Sequence, residues 1–333
     1  MKRLRFPLII LIILGGLVAL YYYFNLPVNF GKGSAVFTVE KGETVRSVAL
    51  NLMDDGFIRS DLFFITLMRL SKKTRSIKAG EYEFDLETKN TKILSVLSKG
   101  IVVTIKFTIP EGYNLKQIAQ RLESQGIVDS EAFLGASSDK TLLDKYKIPF
   151  KTAEGFLFPD TYIIAKGLDG SQIAEIMIKK FFESLNDIPY VDYTRDELIK
   201  TVIIASLVEK EAQLEEERAI IAAVFYNRLN KGKRLESCAT VQYILGKTKE
   251  RLLFSDLKIE SPYNTYLHPG LPPGPIANPG ADSLKAAVSP ADVDYLFFVS
   301  KNDGSHYFSS TYNEHLKAIK KFSGSRRIGY QLS

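Results

Sequence analysis

Two glutamates close an apolar stretch in DELIKTVIIASLVEKEA (196–212), and a carboxyl in that setting is the first candidate for chemistry. Asp196 and Glu197 suit a helix start, where acids meet the positive end of the peptide dipole. Val202 to Val208 is apolar on every side except Ser206, the pattern of a buried helix. Glu209 and Glu211 lie about 200° apart at 100° per residue, so they cannot both serve one cleft. Glu211 continues the stripe of Ile204, Leu207 and Val208. A carboxyl against an apolar wall keeps its proton to higher pH, which is what a general acid needs. The alternative is that both glutamates are solvated residues at a fraying helix end.

Other polar residues could surround such an acid. Asn227 and Arg228 sit in an otherwise apolar helical turn, either as structural hydrogen-bond donors or as ligand contacts. Ser261-Pro262-Tyr263-Asn264-Thr265-Tyr266 offers aromatic rings beside amide and hydroxyl groups, a composition suited to sugars. Pro269 to Gly280 carries five prolines in twelve residues, at 269, 272, 273, 275 and 279. It reads as either a rigid connector or a stiff cleft wall. The histidines, His268, His306 and His315, form no helical His-x-x-x-His pair, and one cysteine, Cys238, gives neither a disulfide framework nor a Cys-rich metal site. No metal and no cofactor are expected. There is no Gly-rich phosphate loop and no Gly-x-Ser-x-Gly elbow.

These residues need elements to hold them. The chain has 333 residues, enough for two folded domains, with 45% hydrophobic and 25% charged residues. That composition excludes a disordered, collagen-like or polytopic membrane protein. A net charge of +6 is mild for this length; it is compatible with an anionic polymer or a membrane surface, and no nucleic-acid partner is expected. Helices are expected over 171–185, 196–212 and from about 215 to 230, and a hairpin over 295–309 with its turn at Asp303-Gly304.

The N-terminus reads Met1-Lys2-Arg3-Leu4-Arg5, then runs uncharged from Phe6 to Gly31, with Tyr21, Tyr22 and Tyr23 near the far end. About 20 apolar residues span the hydrocarbon core of roughly 30 Å. Basic residues before the span put the N-terminus in the cytoplasm and the rest of the chain outside. The competing reading is a cleaved signal peptide, against which stand the long run and the lack of a small-x-small site.

An internal repeat follows, at an offset of 70. Phe37 to Phe64 aligns with Phe107 to Leu134, with identities at Phe37/Phe107, Thr38/Thr108, Gly42/Gly112, Ala49/Ala119, Leu52/Leu122, Gly56/Gly126, Ser60/Ser130 and Phe63/Phe133. Each copy reads as strand, turn and helix, the helix ended by Gly56 in the first copy, then a second helix capped by Ser60 and carrying Leu62 and Phe63. The unit is either a spacer or a glycan-binding module.

The ordered motifs GFLFPDTY (155–162), ASLVEKEA (205–212), FYNRL (225–229), TVQY (240–243), SPYNTY (261–266), GLPPGPIANPG (270–280), DSLKAA (282–287) and YLFFV (295–299) resemble the endolytic murein transglycosylases of the YceG-like, or MltG, family. The resemblance implies an α+β chain. Its parts would be a transmembrane anchor (1–30), a LysM-like region holding the repeat (31–150) and a mixed α/β catalytic domain (151–333). It implies cleavage of peptidoglycan strands between N-acetylmuramic acid and N-acetylglucosamine to leave 1,6-anhydro ends, beside the strand-synthesising penicillin-binding proteins at the outer face of the cytoplasmic membrane. The family's catalytic glutamate, the second of Glu-Lys-Glu, falls on Glu211. Candidate substrate-binding residues are Glu209, Asn227, Arg228, Thr240, Gln242, Tyr263, Asn264, Thr265, Tyr266, Pro273 and Asn278. The family often has Asp-Pro before Thr-Val; this chain has Cys238-Ala239, and no role is assigned to 238. The other class of function is a non-catalytic, membrane-anchored cell-wall scaffold.

Overall fold

A computed structural model describes residues 5–28, 33–71, 77–188, 194–249 and 251–322, with side chains from Ile9 onward. The chain forms two compact units, one of Met1–Phe107 with Tyr162–Leu168, the other of Thr108–Thr161 with Asp169–Ser333. The sequence-based boundary at 150/151 thus differs from the compact division at 107/108. The second repeat copy lies almost wholly in the second unit, because its first helix packs on the helix after it and that one on the long helix 170–186.

The first unit starts with α1 (Arg5–Asn25), whose end is tied down by an Asn90 Nδ2 bond to the Phe24 carbonyl, 2.9 Å, and by Phe24 stacked on Phe63. Ile9 to Leu20 carries exposed apolar side chains. Among the described residues no helix is long and apolar enough to cross a membrane. The expected span is therefore not established as an element of the structure, and the basic tip at 1–4 and the stretch 29–31 lie outside the described residues.

Strand β1 (Ser34–Val39), α2 (Val45–Asp54), α3 (Asp61–Leu70), β2 (Gly80–Asp85) and α4 (Asn90–Lys99) complete this unit's core. β1 and β2 pair antiparallel with Phe37 opposite Tyr82, and both side chains are buried. The second copy repeats the element order: β3 (Thr104–Thr108), α5 (Leu115–Ser124), α6 (Ser130–Ala136), then the short α7 (Lys140–Lys145) and β4 (Thr161–Ala165), which pairs with β3. Gly56 and Gly126, at φ +75° and +65°, follow the first helix of each copy in the left-handed conformation that glycine allows. The copies differ at the next cap. Ser60 caps α3, but Asp129, one position before the aligned Ser130, caps α6. The buried ring shifts with it, Phe64 in the first copy and Phe133 in the second, each four residues after its cap; Leu62, also on α3, is exposed.

The second unit continues with α8 (Gly170–Asn186), α9 (Arg195–Glu211), a 3-10 turn at Glu215–Glu217, α10 (Arg218–Asn230), α11 (Cys238–Leu245), a 3-10 turn at Asp256–Lys258, α12 (Ala281–Val288), the β5 (Phe297–Ser300) and β6 (His306–Ser309) hairpin, and α13 (Tyr312–Phe322). α9 is its axis. Thr201 to Val208 is buried without a break, and α10, α11 and α12 pack on it. A Thr194–Glu197 capping box starts the helix, satisfying amides that have no intrahelical partner. The acids at 215–217, expected to open a helix, form the 3-10 turn instead.

Candidate active site

The last turn of α9 sends three consecutive side chains to three different elements. Glu209 Oε2 accepts from the Gly280 N–H at the start of α12, 3.0 Å. Lys210 Nζ donates to the Gly112 carbonyl, 3.2 Å, in the turn that opens the second repeat copy. Glu211 Oε1 accepts from Ser237 Oγ, 2.6 Å, immediately before α11. The expected divergence of the two glutamates is thus realised, with Glu209 engaged in holding α12.

Glu211 is half-buried, and burial raises its pKa above the ordinary carboxyl value. The Ser237 hydroxyl, the Ala239 N–H and the nearby His306 and Lys210 charges pull the other way and do not cancel it. A carboxyl so placed keeps its proton to higher pH than a solvated one and has donors ready for the anion once the proton is given. Ser237 is itself fixed. Its N–H donates to Thr265 Oγ1, 3.0 Å, its carbonyl accepts from Thr240 Oγ1, 2.8 Å, and the two threonine hydroxyls meet at 3.0 Å. Thr240 and Thr265, both buried, therefore frame the residue that holds Glu211.

The rest of the 261–266 loop is built around Asn264. Its Nδ2 donates to the Leu257 and Ile259 carbonyls, and its Oδ1 accepts from the Tyr266 N–H. Tyr266 Oη lies 3.1 Å from Cys238 Sγ, beside Glu211. Burial first, then the Glu211 charge, pushes the Cys238 thiol up to about 12, so it stays protonated.

The proline-rich segment is pinned at three points. Ile276 N–H donates to Ser206 Oγ, 3.1 Å, which accounts for the lone polar residue in the apolar run of α9. Gly280 meets Glu209, and Asn278 is a fully buried hub. The Asn278 Oδ1 accepts from Leu157 N–H, while its Nδ2 donates to the Tyr113 carbonyl and to Glu154 Oε1, 3.0 Å. Glu154 also accepts from the Leu115 N–H on both oxygens at 3.0 Å, and burial pushes its pKa up to about 8. Next to it Gly155, at φ +85°, admits no side chain: a Cβ there would fall 2.7 Å from Pro275 Cβ and 2.8 Å from Val202 Cγ1. Pro273 is exposed, and Tyr263 packs its ring 5.1 Å from Tyr243.

Three other expected contacts serve the fold as well. Asn227 Nδ2 donates to the Val293 and Tyr295 carbonyls. Arg228, buried, donates to the Arg234 and Leu296 carbonyls and pairs with Glu236. Gln242 holds Lys249 through both its amide atoms. Beyond Ala239 a small polar groove of about 40 Å³ is lined by Gly112, Asn114, Lys210, Gln242, Tyr243 and Lys247 among others, so the second repeat copy contributes to its wall. Sequence reasoning missed Ser237, Glu154 and the buried contact of Glu217 Oε2 with His306 Nδ1, 2.6 Å; each acts through a partner far along the chain. Among the described residues no cluster of three or more His, Cys, Asp or Glu is arranged to hold a metal.

A YceG-like family profile matches residues 37–321. A Bacillus subtilis protein named endolytic murein transglycosylase is 32% identical, with 89% of this chain and 86% of that protein aligned. A Streptococcus pneumoniae protein of the same name is 30% identical over 86% of this chain, which spans only 58% of its length. The crystal structure of a YceG-like protein from Listeria monocytogenes superposes with a TM-score of 0.57 at 33% identity, covering 86% of this chain and 99% of that one. The fold, the ordered motifs and these relatives lead to one conclusion: the chain belongs to the YceG-like family.

Proposed function

We propose that the protein is a lytic transglycosylase of peptidoglycan, with Glu211 as its acid and base. The observation that carries the reading is a protonatable carboxyl at the end of a buried helix, held by one hydroxyl and one backbone N–H. The names of the relatives support the substrate class. Most glycosidases use two carboxylates. A lytic enzyme needs one, because the nucleophile is in the substrate. Glu211 gives its proton to the glycosidic oxygen as the bond to C1 of N-acetylmuramic acid breaks with oxocarbenium character. The resulting carboxylate takes the proton of the C6 hydroxyl, whose oxygen closes on C1 to form the 1,6-anhydro ring. An intramolecular nucleophile contributes up to roughly 7–11 kcal/mol in favourable cases.

The reading extends to a membrane-anchored enzyme acting beside the strand-synthesising penicillin-binding proteins, with its catalytic unit on the outer side of the cytoplasmic membrane. Its support is the uncharged run Phe6 to Gly31 and the exposed apolar side chains of α1. The LysM-like reading of the repeat, with glycan as its ligand, is part of the same proposal, supported by the second copy lining the groove beyond Ala239.

The test is digestion of purified peptidoglycan by the full chain in detergent, wild type and Glu211→Gln, with products read by mass spectrometry. Anhydro-ended fragments are expected, reduced about 10²–10⁴-fold in the variant. Reducing ends would make the protein a hydrolase. Full activity of Glu211→Gln would remove Glu211 from the mechanism. Binding without cleavage by the wild type would favour the scaffold.

A further inference from the structure

Among the described residues, three that are not glycine have a positive φ: Lys147, Asn302 and Glu236. Asn302 lies in the β5–β6 hairpin turn, and asparagine tolerates that conformation. Glu236, at φ +53°, is a residue type that does not favour it. It stands immediately before Ser237, whose hydroxyl holds Glu211. Rotation about the N–Cα bond of Glu236 swings everything after it, so this angle sets where the Ser237 hydroxyl points.

A backbone held outside its preferred region needs partners that impose it. Arg228 of α10 supplies them. Its own carbonyl accepts from the Lys233 N–H, 2.8 Å, its Nε donates to the Arg234 carbonyl, 2.8 Å, and its Nη2 pairs with the Glu236 carboxylate. One residue thus fastens the connection between α10 and α11 at three points. The guanidinium is itself fixed by the Leu296 carbonyl, 3.0 Å, and lies 5.4 Å from the centroid of the Phe297 ring. From the other side Thr265 takes both amides at the turn. Its carbonyl accepts from the Glu236 N–H, 3.2 Å, and its Oγ1 from the Ser237 N–H, 3.0 Å. Arg228, Leu235 and Ser237 are buried, whereas the Glu236 side chain is 42% exposed. A side chain so open to solvent adds little to the core; what its grip fixes is the main chain beside it.

We propose that Glu236, gripped by Arg228, is a positioning residue for the reaction: it holds the chain in the left-handed turn that presents the Ser237 hydroxyl to Glu211. The proposal rests on Glu211 being the acid. Glu236 touches neither substrate nor Glu211 and acts through Ser237. The titratable groups around Glu211 are Lys210 of its own helix, Cys238 of α11, Tyr266 of the 261–266 loop and His306 of β6. Those around Glu236 are Arg228, Tyr266 and His315 of α13. None of these is altered in the variants below.

The test compares full chains of wild type, Glu236→Ala, Glu236→Gln, Ser237→Ala, Glu236→Ala with Ser237→Ala, and Glu211→Gln on peptidoglycan from pH 4.5 to 8.5, with folding checked by circular dichroism. The Ser237 bond lowers the pKa of Glu211, so losing its alignment lets the proton bind more tightly. In Glu236→Ala the alkaline limb is expected to move up as it does in Ser237→Ala, with kcat reduced up to about tenfold and KM little changed. Glu236→Gln still accepts from Arg228 and is expected to keep most of the rate; a loss equal to that of Glu236→Ala would assign the effect to charge and overturn the proposal. In the Ser237→Ala background Glu236→Ala is expected to change neither kcat nor the limb further, because both changes remove one contact. Additive losses would overturn the proposal, as would a lower melting temperature with an unmoved profile, which would leave the pair a structural pin. Should Glu236→Ala fail to fold, Glu236→Gly, which allows φ +53° yet is not held there, replaces it in the same cycle with the same outcomes. If Glu211→Gln is fully active, the reading of Glu211 has failed. If it is inactive while Glu236→Ala keeps the wild-type profile, the Glu236 inference alone has failed.

Discussion

Glu154 offers a direct test of how this site is held together. Its carboxyl is buried where the second repeat copy, the 155–157 turn and the proline-rich segment meet, and its pKa is raised from the ordinary 4.5 to about 8. Two opposed effects produce that value. Burial disfavours the charge, while N–H groups from Leu115 and Asn278 favour it, and burial is the larger. A carboxyl with a raised folded-state pKa binds its proton more tightly folded than unfolded. Its contribution to stability is present at low pH and is lost as pH rises from about 4.5 to about 8. At about 1.4 kcal/mol per pH unit, and allowing for partial titration at both ends, the loss between pH 5 and pH 7.5 is about 3 kcal/mol. For a unit of this size that is roughly 6–12 °C in Tm. Other groups titrate over the same range, so the quantity to measure is the difference in Tm between wild type and Glu154→Gln, which keeps the shape and cannot ionise. Calorimetry at constant ionic strength should show the wild type losing its advantage by about 6–12 °C from pH 5 to pH 7.5. Parallel curves would mean that Glu154 binds its proton equally in both states. A wild-type advantage that grows with pH would mean that the donors outweigh burial and that Glu154 is a carboxylate throughout.

Ser237→Ala removes the 2.6 Å bond to Glu211 and should raise the carboxyl's pKa further, since that bond lowers it; the alkaline limb of the pH–rate profile should move up and kcat fall about tenfold, and an unchanged profile would refute the contact. Arg228→Lys cannot reproduce a fork that reaches the Arg234 carbonyl, the Leu296 carbonyl and Glu236 together. It should cost about 2–4 kcal/mol in urea unfolding with KM little changed, whereas a raised KM at unchanged stability would make Arg228 a substrate contact.

Much of this was legible from periodicity. The repeat shows as identities at an offset of 70, the hairpin near 295–309 as its Asp-Gly turn, and the helices around 171–185 and 196–212 as the spacing of apolar residues, whose stripe Ile204, Leu207 and Val208 continues to Glu211. What periodicity does not carry is the identity of distant partners. Ser237 lies 26 positions from Glu211, Glu217 lies 89 from His306, and Asn278 lies 124 from Glu154. The same gap explains why Asn227, Arg228, Thr240, Asn264 and Thr265 looked like a ligand surface. A polar side chain in an apolar context must find a partner, and these find backbone carbonyls or one another.

The end of α9 is fastened at three consecutive residues to α12, to the second repeat copy and to the turn before α11. Its register is thereby shared among them. One residue added to or removed from the buried stretch 202–208 would turn that end by about 100° and shift it by about 1.5 Å, moving all three attachments at once. The helix works as a fixed gauge: the number of residues between its capping box and Glu211 sets the position of the acid, and the three fastenings make any other count incompatible with the neighbours that close the site.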